Sequence, residues 1–280
     1  MSRRRSASGS VSWPLLSAAL LLVLAGSGCR RAEPPREPAS PAPAADAGFA
    51  GPIERAHGLE AWRAQPAFEA GLTVQFGGRP MIEGRMLFAT DLGASRLDLA
   101  DGTVAVFDGS RAWVSPASSG FEAARFHALT WPYFVAVPMK LRDPGTHLEP
   151  LGERRLQGEA FEAARLTFDP GTGDSPEDWY VLYRDPESGH LRALAYIVTY
   201  GRSAAAAAAE PHAITYHDFV EVEGVEVATT WKFWSWSEAE GIVGEPMGEA
   251  TLTDPRFVRP ELGAFDRVED AREDALLAAR

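Results

Sequence analysis

Apolar and polar residues alternate along most of the chain after Leu72, and a period of two predicts β-strands. Turn residues such as Asp101-Gly102 and Glu223-Gly224 separate the alternating segments. The predicted strands cover residues 72–76, 85–90, 95–99, 103–108, 111–115, 148–151, 154–157, 161–168, 179–184, 191–200, 212–222, 225–237 and 248–254. The short turns between successive segments predict an antiparallel meander.

Residues 131–145, WPYFVAVPMKLRDPG, are apolar but lack the alternation. Pro132 suits the first turn of a short helix, because its missing N–H would be unpaired there. Pro138 would end that helix, and Pro144-Gly145 would turn the chain. We interpret the segment either as a helix that plugs the core of the sheet or as a movable wall of an apolar ligand site.

Three other segments are predicted outside the sheet. Residues 53–63 form a helix that ends before Pro66, and His57 within it has a structural role. The six alanines within 203–211 form a surface excursion or short helix, and residues 266–280 a charged helix or frayed tail. The predicted fold class is therefore α+β: a single large, strongly curved antiparallel sheet, an open half-barrel, wrapped over a few helices. A rolled barrel is the alternative.

The amino terminus has the composition of a secretory signal. Arg3, Arg4 and Arg5 precede an apolar stretch, residues 13–25, that is too short to span a bilayer as a helix. Residues 30–51 are rich in proline and alanine and predict an extended tether. We therefore divide the chain into a signal peptide (1–28), a tether (29–51), a curved β-sheet domain (52–260) and a charged tail (261–280).

The small residues Ala25-Gly26-Ser27-Gly28 directly precede Cys29. This stretch resembles the bacterial lipobox, which implies that Cys29 becomes an acylated amino terminus. Palmitate and a second acyl chain would then anchor the protein, because more than one chain is needed for stable membrane binding. Residue 30 is Arg rather than Asp, which in the similar lipoproteins implies the outer membrane, facing the periplasm or the cell surface. The alternative is a secreted protein with a stray cysteine.

Charge and cysteine content exclude several classes of function. The net charge is −12, and removal of the three arginines of the signal peptide would lower it to −15, which disfavours nucleic acid as a partner. A lone cysteine excludes an intramolecular disulfide and a cysteine-rich zinc site. We expect a monomer without a metal or cofactor.

Several motifs resemble those of bacterial lipoproteins of unassigned function in the LolA/LolB-like half-barrel superfamily. They are His57-Gly58 with Trp62, Asp108-Gly109 before Trp113, Tyr133-Phe134 with Pro138 and Lys140-Leu141, Asp143-Pro144-Gly145, Asp178-Trp179-Tyr180, and Tyr216 with the Val222 to Val225 turn. The resemblance covers most of residues 54–258. It implies a concave apolar sheet of the kind that holds acyl chains in the lipoprotein carriers.

The chain lacks the motifs of zinc proteases, serine hydrolases and P-loop proteins, so we expect no enzyme. His212 and His217 fall on opposite faces of a predicted strand and do not share a metal. Asp174, Glu177 and Asp178 predict a solvated turn rather than a calcium site, and Asp143 caps its own turn. A hydrolase would need a buried acid–histidine pair, such as His217 with Asp218 or Asp178.

Aromatic residues are the main candidates for a binding site. On strand 225–237, Trp231 and Phe233 face one side of the sheet, while Trp234 and Trp236 face the other. The predicted apolar pocket comprises Trp113, Tyr133, Phe134, Met139, Leu141, Tyr180, Tyr196, Tyr216, Trp231 and Phe233. It would bind a lipid or another amphiphile. The alternatives are that these residues form a packed core and that the protein is a structural or protein-interaction lipoprotein of the envelope.

Overall fold

The computed structural model describes residues 45–275. The helices are α1 (Ala45–Ala56), α2 (Leu59–Arg63), α3 (Ala124–Ala136), which continues into a 3-10 helix (Val137–Met139), and α4 (Ala204–Ala208). The predicted signal peptide, Cys29 and most of the tether lie outside the described residues. Within residues 45–275, no helix is both long enough and apolar enough to cross a membrane.

The strands follow one another along the chain with short connections. They are β1 (Ala67–Phe76), β2 (Arg79–Ala89), β3 (Ser95–Leu99), β4 (Val104–Phe107), β5 (Ala112–Ser115), β6 (Thr146–Leu156), β7 (Glu159–Phe168), β8 (Tyr180–Arg184), β9 (Leu191–Tyr196), β10 (His212–Val222), β11 (Val225–Ser237), β12 (Gly241–Val258) and β13 (Arg272–Asp274).

Within the described residues, these strands form one antiparallel sheet of 13 strands in the order β13-β5-β4-β3-β2-β1-β12-β11-β10-β9-β8-β7-β6. Because β13 and β6 lie at opposite ends and do not pair with each other, the sheet stays open. The predicted α+β fold class, an open half-barrel over a few helices, is confirmed, and the rolled barrel is not formed.

Local turn signals placed several strands correctly. The β10–β11 hairpin has the predicted bounds, and Val222 pairs with Val225 across a turn in which Gly224 has a φ of 83°. The turn between β3 and β4 likewise has Gly102 at a φ of 86°. Both glycines adopt a left-handed conformation that other residues reach only with strain.

The predicted early helix is wrong in its bounds. It begins at Ala45, within the predicted tether, and divides into α1 and α2 at Gly58, which has a φ of 75°. A Cβ at Gly58 would lie 2.0 Å from the carbonyl oxygen of Gly224, so the glycine allows the two helices to approach the β10–β11 turn closely. Beside it His57 is buried and structural, as predicted: its Nδ1–H donates to the Glu226 carbonyl and its Nε2 accepts from the Leu191 N–H, both at 3.0 Å.

The two strands predicted at 148–151 and 154–157 are one strand, β6, with an irregularity in its pairing between Pro150 and Gly152. Within the predicted charged helix or frayed tail, residues 266–280, residues 272–274 instead form β13 and pair with β5, and residues 276–280 lie outside the described residues. Contacts distant in sequence hold β13: Arg272 donates to the Phe121 carbonyl (2.7 Å), and Asp274 accepts from the Arg125 N–H (2.9 Å).

The plug helix is confirmed, but it begins at Ala124, and Pro132 lies inside it rather than in its first turn. A proline within a helix leaves the carbonyl four residues earlier without its usual donor. Here that carbonyl belongs to Ala128 and accepts a hydrogen bond from Ser95 Oγ of β3 at 2.5 Å. The sheet thus supplies the donor that Pro132 lacks.

Phe134 lies in the last turn of α3, where carbonyl groups have no donor within the helix, and Pro138 follows in the 3-10 helix. The Phe134 carbonyl oxygen accepts a hydrogen bond from the Tyr216 hydroxyl of β10 at 3.0 Å. Pro132 is therefore tolerated because the Ser95 hydroxyl replaces its missing backbone donor, and the Tyr216 hydroxyl supplies a donor at the carboxy-terminal end of α3. These bonds also fix α3 against β3 and β10.

The two faces of β11 contribute to two separate apolar clusters, as the alternation predicted. Trp231 and Phe233 belong to the main core, which α1, α2 and α3 cover. Trp234 and Trp236 belong to a second cluster on the opposite face. There the Trp236 indole N–H donates to the Tyr183 hydroxyl at 3.0 Å, so residues of β8 complete this smaller core.

Candidate functional site

An apolar cleft of about 420 Å³ lies between α3 and the segment that connects β7 to β8, residues 169–179. This volume falls within the range of roughly 300–1,000 Å³ typical of ligand pockets. Its apolar and aromatic lining consists of Leu92, Phe107, Phe126, Leu129, Tyr133, Phe134, Phe168, Tyr180 and Tyr200. A second groove of about 470 Å³ lies beside Arg96 and Asp98, but mainly polar surface lines it.

One side of α3 forms the wall of the cleft. Phe126, Leu129, Thr130 and Tyr133 all line it, and their spacing of three and four residues places them on one face of a helix. The opposite face of α3 carries Ala128 and Trp131, which are buried in the core. The helix therefore separates the core from the cleft.

An ion pair ties the 169–179 segment to the start of α3. The Arg125 guanidinium contacts the Asp174 carboxylate through two bonds of 2.5 and 2.9 Å and also donates to the Ser110 carbonyl at 2.8 Å. Its Cζ lies 5.0 Å from the centre of the Phe107 ring. Bidentate Arg–carboxylate pairs are geometrically specific, so this contact defines the width of the cleft.

Asp178 is the second carboxylate of the cleft. Its Oδ1 accepts hydrogen bonds from the backbone N–H and the hydroxyl of Thr199, both at 2.7 Å. The loss of solvation on burial raises the pKa of Asp178 to about 6. The hydrogen bonds from Thr199 lower this pKa, but by less than burial raises it. The predicted solvated turn is thus wrong for Asp174 and Asp178, and only Glu177 of the three is exposed.

Tyr133 is one of the polar residues that line the cleft. Its hydroxyl oxygen is buried and has no hydrogen-bond partner among the described residues, and burial raises the pKa of this hydroxyl above its usual range. The Tyr133 ring lies 5.5 Å from that of Tyr180, which stacks at 6.3 Å on Tyr196. The tyrosines form a continuous aromatic layer from the cleft into the core.

The structure brings together only part of the predicted pocket. Of its ten residues, Tyr133, Phe134 and Tyr180 line the cleft. Phe134 also borders a void of about 10 Å³ with Tyr216 and Trp231, which is about the size of one water molecule. The space between α3 and the middle of the sheet is therefore packed.

The remaining predicted residues lie elsewhere. Met139, Leu141, Tyr196 and Phe233 are buried in the main core. Trp113 lies on β5, where its indole N–H donates to Asp108 at 2.8 Å and its ring stacks beneath the guanidinium of Arg267 at 4.6 Å. These five residues do not contact the cleft.

Sequence reasoning missed Phe107, Phe126, Leu129 and Phe168, and it assigned the carboxylates of the 169–179 segment to a solvated turn rather than to the cleft. For α3 a signal existed, since Phe126, Leu129 and Tyr133 recur at helical spacing. It was hidden because Pro132 suggested that the helix began there. For Phe107, Phe168 and the carboxylates, no local sequence pattern indicates that these residues lie together at one cleft.

The described residues include no group of three or more His, Cys, Asp or Glu arranged to hold a metal ion. His217 Nε2 pairs with the Thr215 hydroxyl at 2.8 Å rather than with a carboxylate. Asp143, predicted to cap its own turn, contacts the Lys140 ammonium at 2.6 Å, and its carbonyl accepts from the Thr146 N–H.

No protein-family model matches this chain, and no curated protein is similar to it in sequence. Similar solved structures include a LolA superfamily protein from Nitrosomonas europaea, with 12% identity over 78% of this chain and 97% of that chain and a TM-score of 0.49. A DUF1329 family protein from Desulfovibrio piger has 12% identity over 78% and 97% of the two chains and a TM-score of 0.48.

At 12% identity, the two similarities concern the fold alone. The case for a ligand therefore depends on the cleft of this chain.

Proposed function

We propose that this protein is a membrane-anchored lipoprotein of the cell envelope that holds the apolar part of a lipid or lipidated group in the cleft beside α3. Acylation of Cys29 would provide the anchor, in the outer membrane and facing the periplasm or the cell surface. The observation that carries the proposal is the cleft itself, about 420 Å³ of largely apolar space on the surface of a well-packed domain.

The size and lining of the cleft support an acyl chain as the ligand. Each buried methylene contributes about 0.8 kcal/mol, so several methylenes are enough for measurable affinity. Phe107, Phe126 and Phe168 offer flat apolar surfaces against which a flexible chain packs.

The packed core supports a ligand position outside the middle of the sheet. Trp131, Trp231 and Phe233 already fill the space beneath α3, where Trp131 and Phe233 lie 6.2 Å apart. A carrier with an empty interior would need a large void there. We therefore place the acyl chain on the outer side of α3 rather than between α3 and the sheet.

Filling the cleft tests the proposal. In Leu129→Trp a larger side chain would occupy the space from the half-buried face of α3. In the matched control, Leu262→Trp, the same change is made at a fully exposed position away from the cleft. Binding of the uncharged fluorophore N-phenylnaphthylamine to the unacylated mature chain, residues 29–280, would be measured for both variants.

We expect Leu129→Trp to weaken binding at least about tenfold, equivalent to about 1.4 kcal/mol, while the control binds as the wild type does. Native mass spectrometry after exposure to an envelope lipid extract would identify the natural ligand. If the wild type binds no fluorophore and gains no lipid mass, the carrier proposal is wrong. The alternative, an envelope lipoprotein that acts through protein contacts, would then be favoured.

A further inference from the structure

The charges around the cleft indicate which kind of amphiphile it accepts. Of the described residues that line the cleft, two are carboxylates, Asp174 and Asp178, and none is Lys, Arg or His. A site for a carboxylate or phosphate group normally presents a cation or several backbone N–H donors. This cleft presents the opposite charge.

The nearest cations are already engaged. Arg125 holds the Asp174 carboxylate through two hydrogen bonds and the Ser110 carbonyl through a third. The ammonium group of Lys140 lies 2.6 Å from the Asp143 carboxylate and donates to the Asp91 carbonyl at 3.3 Å. An anionic ligand could recruit either cation only by breaking an existing ion pair.

Asp178 adds a negative charge that no described cation balances. At neutral pH its carboxylate remains ionised, since burial raises its pKa only to about 6 and Thr199 donates two hydrogen bonds to it. A second anion beside it would be repelled and would also lose its own hydration. This repulsion weakens the binding of anionic head groups and does not affect uncharged ones.

We propose that the cleft takes an amphiphile whose polar end is uncharged, such as an acyl ester, and discriminates against the same chain ending in a carboxylate. This inference rests on the proposed function. An ester oxygen accepts hydrogen bonds, and Tyr133 contributes a buried hydroxyl whose donor is unused within the described structure. The ester brings no charge near Asp178, so it avoids the repulsion that a carboxylate meets there.

Three amphiphiles with the same hydrocarbon tail test the proposal by displacing N-phenylnaphthylamine from the mature chain at neutral pH. They are monodecanoylglycerol, which is uncharged, decanoate, which is anionic, and decyltrimethylammonium, which is cationic. We expect the ester to displace the probe at a concentration at least about tenfold lower than decanoate, as expected for one unfavourable charge contact.

Asp178→Asn identifies the source of the discrimination. Asparagine has the same shape and keeps an oxygen that accepts from Thr199, but it removes the charge. We expect the ratio between ester and decanoate to fall at least about threefold in this variant. The ratio should not change in the matched control Asp254→Asn, an exposed position with a φ of 47° that asparagine tolerates.

The proposal is overturned if decanoate displaces the probe as well as the ester does, or if the cation displaces it as poorly as decanoate does, because the unbalanced Asp178 carboxylate repels only anions. It is also overturned if Asp178→Asn folds normally by circular dichroism but leaves the ratio unchanged. These results differ from a failure of the proposed function, in which the wild type does not bind the probe at all.

Discussion

The hydrogen bond between Ser95 and Ala128 allows a quantitative test of how the sheet stabilises α3. Ser95→Ala removes the hydroxyl that donates to the Ala128 carbonyl, and the site is buried, with Ser95 3% exposed. Because Pro132 has no N–H, the carbonyl would then have no donor. Leaving a buried carbonyl unpaired costs about 1–3 kcal/mol, so we expect the free energy of unfolding to fall by that amount.

Pro132→Ala should reduce this cost. Alanine supplies the N–H that the Ala128 carbonyl would have in a regular helix, so the loss of the Ser95 hydroxyl matters less in that background. The double-mutant cycle isolates this coupling from the other effects of each single change, including the altered entropy of the unfolded chain. We expect a coupling energy of at least about 1 kcal/mol.

Urea unfolding monitored by tryptophan fluorescence would give the four free energies. In the matched control, Ser115→Ala, the serine hydroxyl also donates to a carbonyl, that of Glu269, but at an exposed site. That substitution should change the free energy of unfolding by less than about 0.5 kcal/mol. If Ser95→Ala costs the same with and without Pro132, the carbonyl does not depend on the serine and the explanation is wrong.

Three further predictions concern other contacts of the same core. Burial lowers the pKa of His57 to about 4, so the side chain stays neutral in the folded protein but is protonated below about 6.5 in the unfolded chain. Its own contribution to the free energy of unfolding should fall by about 2 kcal/mol between about pH 7 and pH 5; urea unfolding of the wild type and of His57→Gln at both pH values would isolate it, and an equal pH dependence of the two proteins would contradict this. Gly58→Ala should lower the free energy of unfolding, measured by thermal unfolding, by at least about 2 kcal/mol, because the residue has a φ of 75° and a Cβ there would meet the Gly224 carbonyl oxygen. Gly77→Ala, at a φ of 54° but with open space around it, should lower it by roughly 1 kcal/mol. Tyr216→Phe leaves the Phe134 carbonyl unpaired and should lower the free energy of unfolding by about 1–3 kcal/mol, and an unchanged urea midpoint would exclude a role for the hydroxyl.

The sequence predicted those parts of the fold whose signals are local. The β10–β11 hairpin follows from strict alternation on both sides of Glu223-Gly224, and its bounds were correct. The start of α3 was missed because Pro132 is a strong local sign of a first helical turn. The Ser95 hydroxyl that makes a proline acceptable in mid-helix belongs to a distant strand, and no pattern within the helix reveals it.

The candidate site was less predictable than the fold. The aromatic residues chosen from the sequence were mostly core residues, because an apolar side chain fits a packed interior and a ligand cleft equally well. The cleft depends on the Arg125–Asp174 pair, which joins two segments remote in sequence. Trp113 illustrates the difficulty, since a tryptophan beside a turn gave no sign that the guanidinium groups of Arg111 and Arg267 contact its ring.

The hydrogen bonds from Ser95 and Tyr216 to carbonyl groups of α3 also have a mechanical consequence. They connect α3 to β3 and β10, and in the sheet order four strands, β2, β1, β12 and β11, lie between these two. The helix therefore crosses the concave face of the half-barrel and holds β3 and β10 at a fixed separation. The sheet cannot flatten without breaking one of the two bonds. A ligand too wide for the cleft must therefore displace the 169–179 segment rather than α3.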